Sequence, residues 1–183
     1  HTNTSGAQNV GIGYQVMRHN TTGSNNVAIG GYYTMYANTT GSNNVAIGRD
    51  AMKWNTTGGL QTAIGTYALD ASTTGASQGN TAVGYNAMGA NTTGYSSVGV
   101  GAYALDAMTT AQGNVAVGYA ACSTMTTGWQ NVGVGHAALE DCTTSTCTGV
   151  GYNALYQLST GDGNTAVGGG AGTLSEICAA YMY

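Results

Sequence analysis

The stretch Asn44-Val45-Ala46-Ile47-Gly48, followed by Ala51-Met52 and then by Thr56-Thr57-Gly58, decides the fold because the chain repeats it. Ten units of this kind end their apolar segment in a glycine, and consecutive glycines lie 16 to 19 residues apart, most often 17. These corner glycines are Gly13, Gly30, Gly48, Gly65, Gly84, Gly101, Gly118, Gly135, Gly151 and Gly168. So regular a period predicts one small unit stacked on copies of itself.

The apolar segment alternates in side-chain size. The residue two positions before each corner glycine is Ala or Gly, and its neighbours are mostly Val or Ile. Because successive side chains of an extended segment point to opposite faces, one face carries β-branched side chains and the other only small ones. The small side chains indicate a close neighbour, which is either the opposite wall of a narrow coil or another chain packed along the same axis.

A second apolar segment follows each glycine, with Met or Leu four residues after it in seven units. Two apolar segments per unit predict a coil of two or more short strands joined by turns. The fold class is therefore expected to be all-β, a parallel β-solenoid (β-roll) of about ten 17-residue coils. At roughly 4.8 Å per coil, the rod would be about 50 Å long. A helix is disfavoured, because Gly occupies 31 of 183 positions and no 3.6-residue apolar stripe persists.

The repeats divide the chain into three parts. Residues 1–8 are expected to form an N-terminal lead-in, residues 9–172 the solenoid, and residues 173–183 a short C-terminal cap or the start of a stalk. The string Thr173-Leu174-Ser175-Glu176 matches a helix capping box, and a cap would cover the open end of the solenoid. Because the sequence opens on His1 with no initiator Met and no basic-then-apolar segment before the first repeat, a processed chain or a fragment is expected.

Composition favours an extracellular, cell-surface or virion location. The basic residues Arg18, Arg49 and Lys53 stand against seven acids, giving a formal net charge of −4. A nucleic-acid partner is not expected, because no basic patch is available to neutralise phosphates. Membrane insertion is not expected either, because no run approaches the roughly 18 apolar residues that a span needs.

Enzyme chemistry is not expected. The acidic residues are scattered over different units, so no pair flanks a cleft as glycoside hydrolysis requires. The histidines, His1, His19 and His136, lie near no nucleophile-elbow sequence. The sequence accordingly predicts no catalytic residues and no cofactor.

Four cysteines, Cys122, Cys142, Cys147 and Cys178, lie in the last third of the chain. Cys122 occupies a position that Leu fills in later units, so a buried thiol is expected there. Cys142 and Cys147 are close enough in sequence for a disulfide across a turn, but the count alone leaves the pairing open. Zinc held by these two and His136 would lack a second ligand pair, so no metal site is predicted.

Three ladders of like residues are candidates for recognition. Asn residues before the strands, such as Asn44, are typical of turns whose backbone they satisfy. Tyr85, Tyr119 and Tyr152 follow corner glycines and would stack either on sugar rings or on one another, which makes them the candidate binding residues.

The Thr-Thr pairs, such as Thr39-Thr40, form the third ladder. Ranks of hydroxyl and methyl groups suggest an ice-binding surface, whereas the Gly that follows favours a turn. Four Asn-Thr-Thr strings, which begin at Asn20, Asn38, Asn55 and Asn91, read either as glycosylation sequons or as turn chemistry.

The string Asn-Thr-Ala-Val-Gly-Tyr-Asn-Ala at residues 80–87, with Thr-Thr-Gly and another Asn-Val-Ala-Val/Ile-Gly after it, resembles the repeats of trimeric phage tail fibres. It is also similar to the head repeats of trimeric autotransporter adhesins. The resemblance implies a side-by-side homotrimer, with either the Ala/Gly face or its Val/Ile neighbours at the subunit contact. It also implies attachment to a surface glycan or protein receptor.

The longer unit and the Thr-Thr-Gly turn favour the phage-fibre alternative, as a fibre shaft or adhesive head. A bacterial adhesin head is the second alternative. An ice-binding solenoid is an alternative of another class.

Overall fold

The computed structural model describes residues 2–73 and 79–173. These residues form ten short strands joined in sequence order into one parallel sheet. The strands are β1 Val10–Tyr14, β2 Val27–Tyr32, β3 Val45–Ile47, β4 Thr62–Ile64, β5 Thr81–Val83, β6 Val98–Val100, β7 Val115–Val117, β8 Val132–Val134, β9 Thr148–Val150 and β10 Thr165–Val167. The predicted all-β parallel solenoid is confirmed. Residues 174–183, with most of the predicted cap and Cys178, lie outside the described residues.

Like residues stack on like along the sheet. Between β3 and β4 the partners are Val45 with Thr62, Ala46 with Ala63, and Ile47 with Ile64. The stacking continues outside the strands, where the amide of Met52 donates to the carbonyl of Ala68 at 3.0 Å. Each coil therefore satisfies much of its backbone on the next coil, in turns as well as in strands.

The small strand residues face the interior of the same coil. Ala46 and Ala63 are fully buried, whereas the β-branched residues beside them are half-buried or exposed. A Cβ atom added at Gly99 would lie 3.1 Å from Met88 Cγ and 3.2 Å from the carbonyl oxygen of Ala104, so the opposite wall leaves little room. The explanation that a neighbouring chain restricts the small side chains is therefore wrong. Of the two faces of each strand, only the Val/Ile face lies on the outside of the coil.

The second apolar segment is a turn, so the expectation of two or more strands per coil is wrong. Asp50 and Met52 have φ angles of 58° and 51°, and left-handed residues recur at the equivalent positions of other coils, for example at Leu105 with φ 53°. Neighbouring residues of a strand would point to opposite faces. The alternation of right- and left-handed residues instead places both Ala51 and Met52 in the core, where both are fully buried.

The lead-in lies on the first coil. The amide of Thr4 donates to the carbonyl of Thr21 at 2.9 Å, as equivalent residues do between later coils. Asn3 Nδ2 donates to the carbonyl of Gly6 at 2.8 Å and closes a bend of the kind found in the repeats. A cavity of about 270 Å³ opens at this end of the coil interior, beside Met17.

Candidate functional site

The outer surface of the sheet, here called the sheet face, carries the first and third residue of each strand. Its members are Val10, Ile12, Val27, Ile29, Val45, Ile47, Thr62, Ile64, Thr81, Val83, Val98, Val100, Val115, Val117, Val132, Val134, Thr148, Val150, Thr165 and Val167. All are exposed or half-buried, and none is charged. From β2 to β10 the pairing keeps one register, so these side chains form two unbroken columns.

The candidate tyrosines lie in a second feature, the aromatic stripe, on the turns beside the sheet. Its members are Tyr67, Tyr85, Tyr103, Tyr119, His136 and Tyr152, and neighbouring ring centroids are 5.2 to 5.9 Å apart. Tyr85, Tyr119 and Tyr152 are 46 to 60 % exposed. The rings contact one another edge to face from Tyr67 to Tyr119 and are stacked from Tyr119 to Tyr152, and they remain accessible. Contact with neighbouring rings and contact with a sugar are therefore compatible alternatives for these tyrosines.

Sequence reasoning missed His136 as a member of the stripe. His136 directly follows the corner glycine Gly135, as Tyr119 follows Gly118, and this shared position is the signal that could have placed it. Its ring is stacked between Tyr119 and Tyr152. At the other end, Arg49 donates to the hydroxyl of Tyr67 at 2.8 Å, and its guanidinium lies 5.0 Å from the ring centroid.

Two columns of side chains, most of them polar, line the coil interior. The pre-strand column is Asn9, Asn26, Asn44, Gln61, Asn80, Ser97, Asn114, Asn131, Cys147 and Asn164; the bend column is Asn20, Asn38, Asn55, Ser72, Asn91, Met108, Met125, Cys142 and Leu158. Asn114 Nδ2 donates to the carbonyl of Gly128 at 2.8 Å, and Asn114 Oδ1 accepts from the amide of Asn131 at 2.9 Å. The predicted backbone role of the asparagines before the strands is confirmed.

The four Asn of the Asn-Thr-Thr strings belong to the bend column. Asn38 Nδ2 donates to the carbonyl of Gly41 at 3.1 Å and to Asn20 Oδ1 at 2.8 Å. Asn38, Asn55 and Asn91 are fully buried, and Asn20 is nearly so. In the folded chain these amides close bends, which is the turn chemistry that the sequence offered as one alternative.

The Thr-Thr pairs lie in bends. In most pairs the first Thr donates through its hydroxyl to the backbone of the next coil, as Thr21 Oγ1 does to the carbonyl of Thr39 at 2.9 Å and Thr39 Oγ1 to that of Thr56 at 2.9 Å. The second Thr is exposed in most pairs, as at Thr40, and half-buried at Thr93 and Thr144. The predicted turn is confirmed, and one of the two hydroxyl ranks is occupied by bonds between coils.

Asp50, Lys53 and Asp70 are titratable groups that interact with one another. Lys53 Nζ lies 3.3 Å from Asp50 Oδ1, and Asp70 occupies the position of Lys53 in the next coil. Burial raises the pKa of Asp70 from 3.8 to about 6, against the lowering effect of Lys53. Its Oδ1 is buried and has no hydrogen-bond partner. Such a carboxyl destabilises the fold when it ionises.

Asp70→Asn is expected to stabilise the protein at pH 7.5. The folded pKa of Asp70 lies above its unfolded value. Asp70 therefore leaves the wild type at full stability below about pH 4, and the wild type loses stability as the pH rises through about 6. After a discount for partial exposure, the gain at neutral pH is about 1 kcal/mol, a few degrees in Tm. Thermal unfolding from pH 3.5 to 7.5 measures it, and Asp141→Asn is the charge-matched control. Parallel pH profiles for Asp70→Asn and the wild type would contradict the raised pKa.

The three residues of the zinc alternative do not lie together in the structure. His136 lies in the exposed stripe, whereas Cys142 and Cys147 are fully buried inside the coil. Within residues 2–73 and 79–173, no three His, Cys, Asp or Glu side chains are grouped so as to hold a metal ion. Nor does this part of the chain contain a helix of the length and apolarity that crossing a bilayer requires.

The surfaces of the rod are therefore the candidate functional features, the sheet face and the aromatic stripe above all. No protein-family model, curated protein or solved structure matches the chain.

Proposed function

We propose that this chain is a non-enzymatic segment of an extracellular fibre, in which three copies lie side by side about a common axis and contact one another through the sheet face. The observation that carries the proposal is the sheet face itself: an uncharged surface of sixteen Val or Ile and four Thr that runs the length of the rod. In a single chain this surface is left facing water.

The size of the sheet face supports a role in association. Ten coils at roughly 4.8 Å each and two side-chain columns give a strip on the order of 450 Å². Apolar patches of this size lie within the range of the largest found on monomeric proteins, and these are often functional. A flat run of β-branched side chains also favours aggregation unless a partner covers it.

The spacing of the side chains favours a second copy of the same chain as that partner. Each column repeats once per coil in constant register, so its ridges and grooves follow the separation of parallel strands. A rod with the same separation can interdigitate along the full length, whereas a globular surface meets only part of the strip. Three copies about one axis would cover the strip on every chain and form a closed, cyclic assembly.

Val98→Lys combined with Val115→Lys is expected to abolish association. Both side chains point outward from the middle of the sheet face, so each coil can accommodate the change. In the trimer, however, the two lysines would be buried as charges in the contact between chains. The native mass of the wild type in solution should be three times the chain mass of 18.3 kDa, and that of the variant one chain. Thr110→Lys, on an exposed bend, is the matched control and should stay trimeric.

The native mass also separates the fibre from the ice-binding alternative. A wild type that is monomeric at micromolar concentration contradicts the proposed association. Thermal hysteresis from that monomer would favour an ice-binding solenoid with a solvent-facing sheet face. A trimer without thermal hysteresis supports the fibre.

Attachment to a glycan is the role that the aromatic stripe supports. Its rings are exposed, repeat with the coils, and offer faces and edges on which sugar rings stack. Glycan-array binding that is lost in Tyr85→Ala with Tyr119→Ala, while the trimer mass is kept, would identify an adhesive head. Tyr14→Ala is the control, because Tyr14 belongs to a separate aromatic cluster that runs through Tyr32 and Tyr33. A wild type that binds no glycan would instead indicate an inert shaft. A phage fibre and a bacterial adhesin head share this architecture and differ in where the chain is displayed.

A further inference from the structure

The bend between β8 and β9 lacks the asparagine that closes the equivalent bend in four other coils. Asn55 Nδ2 donates to the carbonyl of Gly58 at 3.0 Å, and Asn91 Nδ2 does the same to Gly94 at 3.1 Å. In the bend between β8 and β9, Cys142 takes the place of this asparagine, and this repeat is one residue shorter than the usual 17. Cys142 is fully buried and faces the coil interior.

Cys147 occupies the facing position of the pre-strand column. The two columns contact each other within a coil: Gln61 Nε2 lies 3.4 Å from Asn55 Oδ1, and Asn131 Nδ2 lies 3.4 Å from Met125 Sδ. Cys142 and Cys147 are the same pair of positions one coil after Met125 and Asn131. The repeat therefore brings the two side chains together across the bend, whichever residue types occupy these positions.

The two sulfur atoms share one partner. Cys142 Sγ lies 3.2 Å from Thr144 Oγ1, and Cys147 Sγ lies 3.3 Å from the same hydroxyl. Each thiol is the main influence on the other's pKa, which is lowered for Cys147 and raised for Cys142. Cys122 is separate: its Sγ packs against the backbone of Gly133 in β8, where an added Cβ would lie only 2.6 Å away.

We propose that Cys142 and Cys147 form a disulfide that closes the bend between β8 and β9. The oxidant is a small-molecule disulfide. The Cys147 thiolate attacks it and forms a mixed disulfide, releasing one thiolate. Cys142 then loses its proton and displaces the second thiolate, so two thiols are oxidised and one external disulfide is reduced to two thiols. Because both side chains are buried in the closed coil, the reaction takes place as the bend folds or opens.

The disulfide closes this bend covalently, where an asparagine hydrogen bond closes the equivalent bends at Asn55 and Asn91. In the neighbouring coils with Met108 and Met125 the missing asparagine is compensated by a long side chain that fills the interior. Cys142 is shorter than these methionines and fills less space, and the cross-link would hold this bend closed covalently. Closing so short a loop restricts the unfolded chain and stabilises the coils around β8 and β9.

Refolding of the full chain in oxidised and reduced glutathione tests the proposal. In the tested protein Cys178→Ser removes the one cysteine outside the described residues. After refolding, the intact mass should be two hydrogen atoms below that of the reduced protein. After denaturation and alkylation, only Cys122 should be modified. Peptide mapping should recover Cys142 linked to Cys147. Dithiothreitol should lower Tm by about 5 °C.

Two variants complete the test. Cys122→Ala should keep the cross-link, whereas Cys142→Ser with Cys147→Ser should lose both the cross-link and the effect of dithiothreitol on Tm. If the double variant does not fold, the peptide map of the parent protein decides alone. A link that includes Cys122, or three alkylated cysteines after refolding with oxidised glutathione, would overturn the proposal.

Discussion

Gly118→Ala is expected to destabilise the protein by about 4 kcal/mol and to break the stack near its middle. Gly118 has a φ of +140°, a conformation that an alanine adopts only with strain. A Cβ atom there would lie 2.2 Å from the carbonyl oxygen of Gly135 and 2.6 Å from its carbonyl carbon. These atoms cannot withdraw easily, because the amide of Gly135 donates to the carbonyl of Val117 at 2.8 Å.

Urea unfolding and circular dichroism measure this effect. Because each coil contacts only its neighbours, we expect the unfolding transition of the variant to broaden or divide, with the coils on either side of Gly118 melting separately. Gly31→Ala is the matched control, since a Cβ at Gly31 would meet nothing within 4 Å. Equal midpoints for the two variants would contradict the corner role of Gly118.

Repetition explains why the sequence predicts the fold so far. A single Val-Ala-Ile-Gly string is compatible with many structures, but ten copies at nearly constant spacing impose the same constraint at every coil. The corner glycines, the outward Val and Ile, and the backbone role of residues such as Asn44 all follow from that period. So does the line of tyrosines, because equal positions in successive coils are neighbours in space.

The turn after each glycine could not be predicted in the same way. Leu and Met are not residues that favour positive φ, yet Leu105 and Met52 adopt it. The preference is overridden because the left-handed residues bury two consecutive side chains and direct their amides to the next coil, as Met52 does to Ala68. These gains exist only in the stacked structure, so local propensity carries no sign of them.

The sequence also leaves open which way the small face of each strand points. Both a narrow coil and a neighbouring chain restrict Ala46 to a small side chain, and only the distance across the coil distinguishes them. Cys142 and Cys147 show the same limit. Their contact follows from aligning a shortened repeat with its neighbours, and the cysteine count alone allows several pairings.

Asn114→Ala tests whether the interior asparagines hold the coils together, and we expect it to cost about 3 kcal/mol. The substitution leaves two buried backbone groups without partners, the carbonyl of Gly128 and the amide of Asn131, which lie 2.8 and 2.9 Å from the Asn114 amide group. An unsatisfied polar group in the coil interior cannot turn to water, because Asn114 is fully buried.

The pre-strand column itself supplies an intermediate variant. Ser97 occupies this column naturally and accepts from the amide of Asn114 at 3.2 Å, but a serine is too short to reach the carbonyl of the facing bend. Asn114→Ser should therefore retain one of the two contacts and lie between the wild type and Asn114→Ala in urea unfolding. Asn43→Gly, at an exposed left-handed position, is the control and should stay within about 0.5 kcal/mol of the wild type. If alanine and serine at position 114 leave the stability as high as asparagine does, the interior asparagines do not hold adjacent coils together.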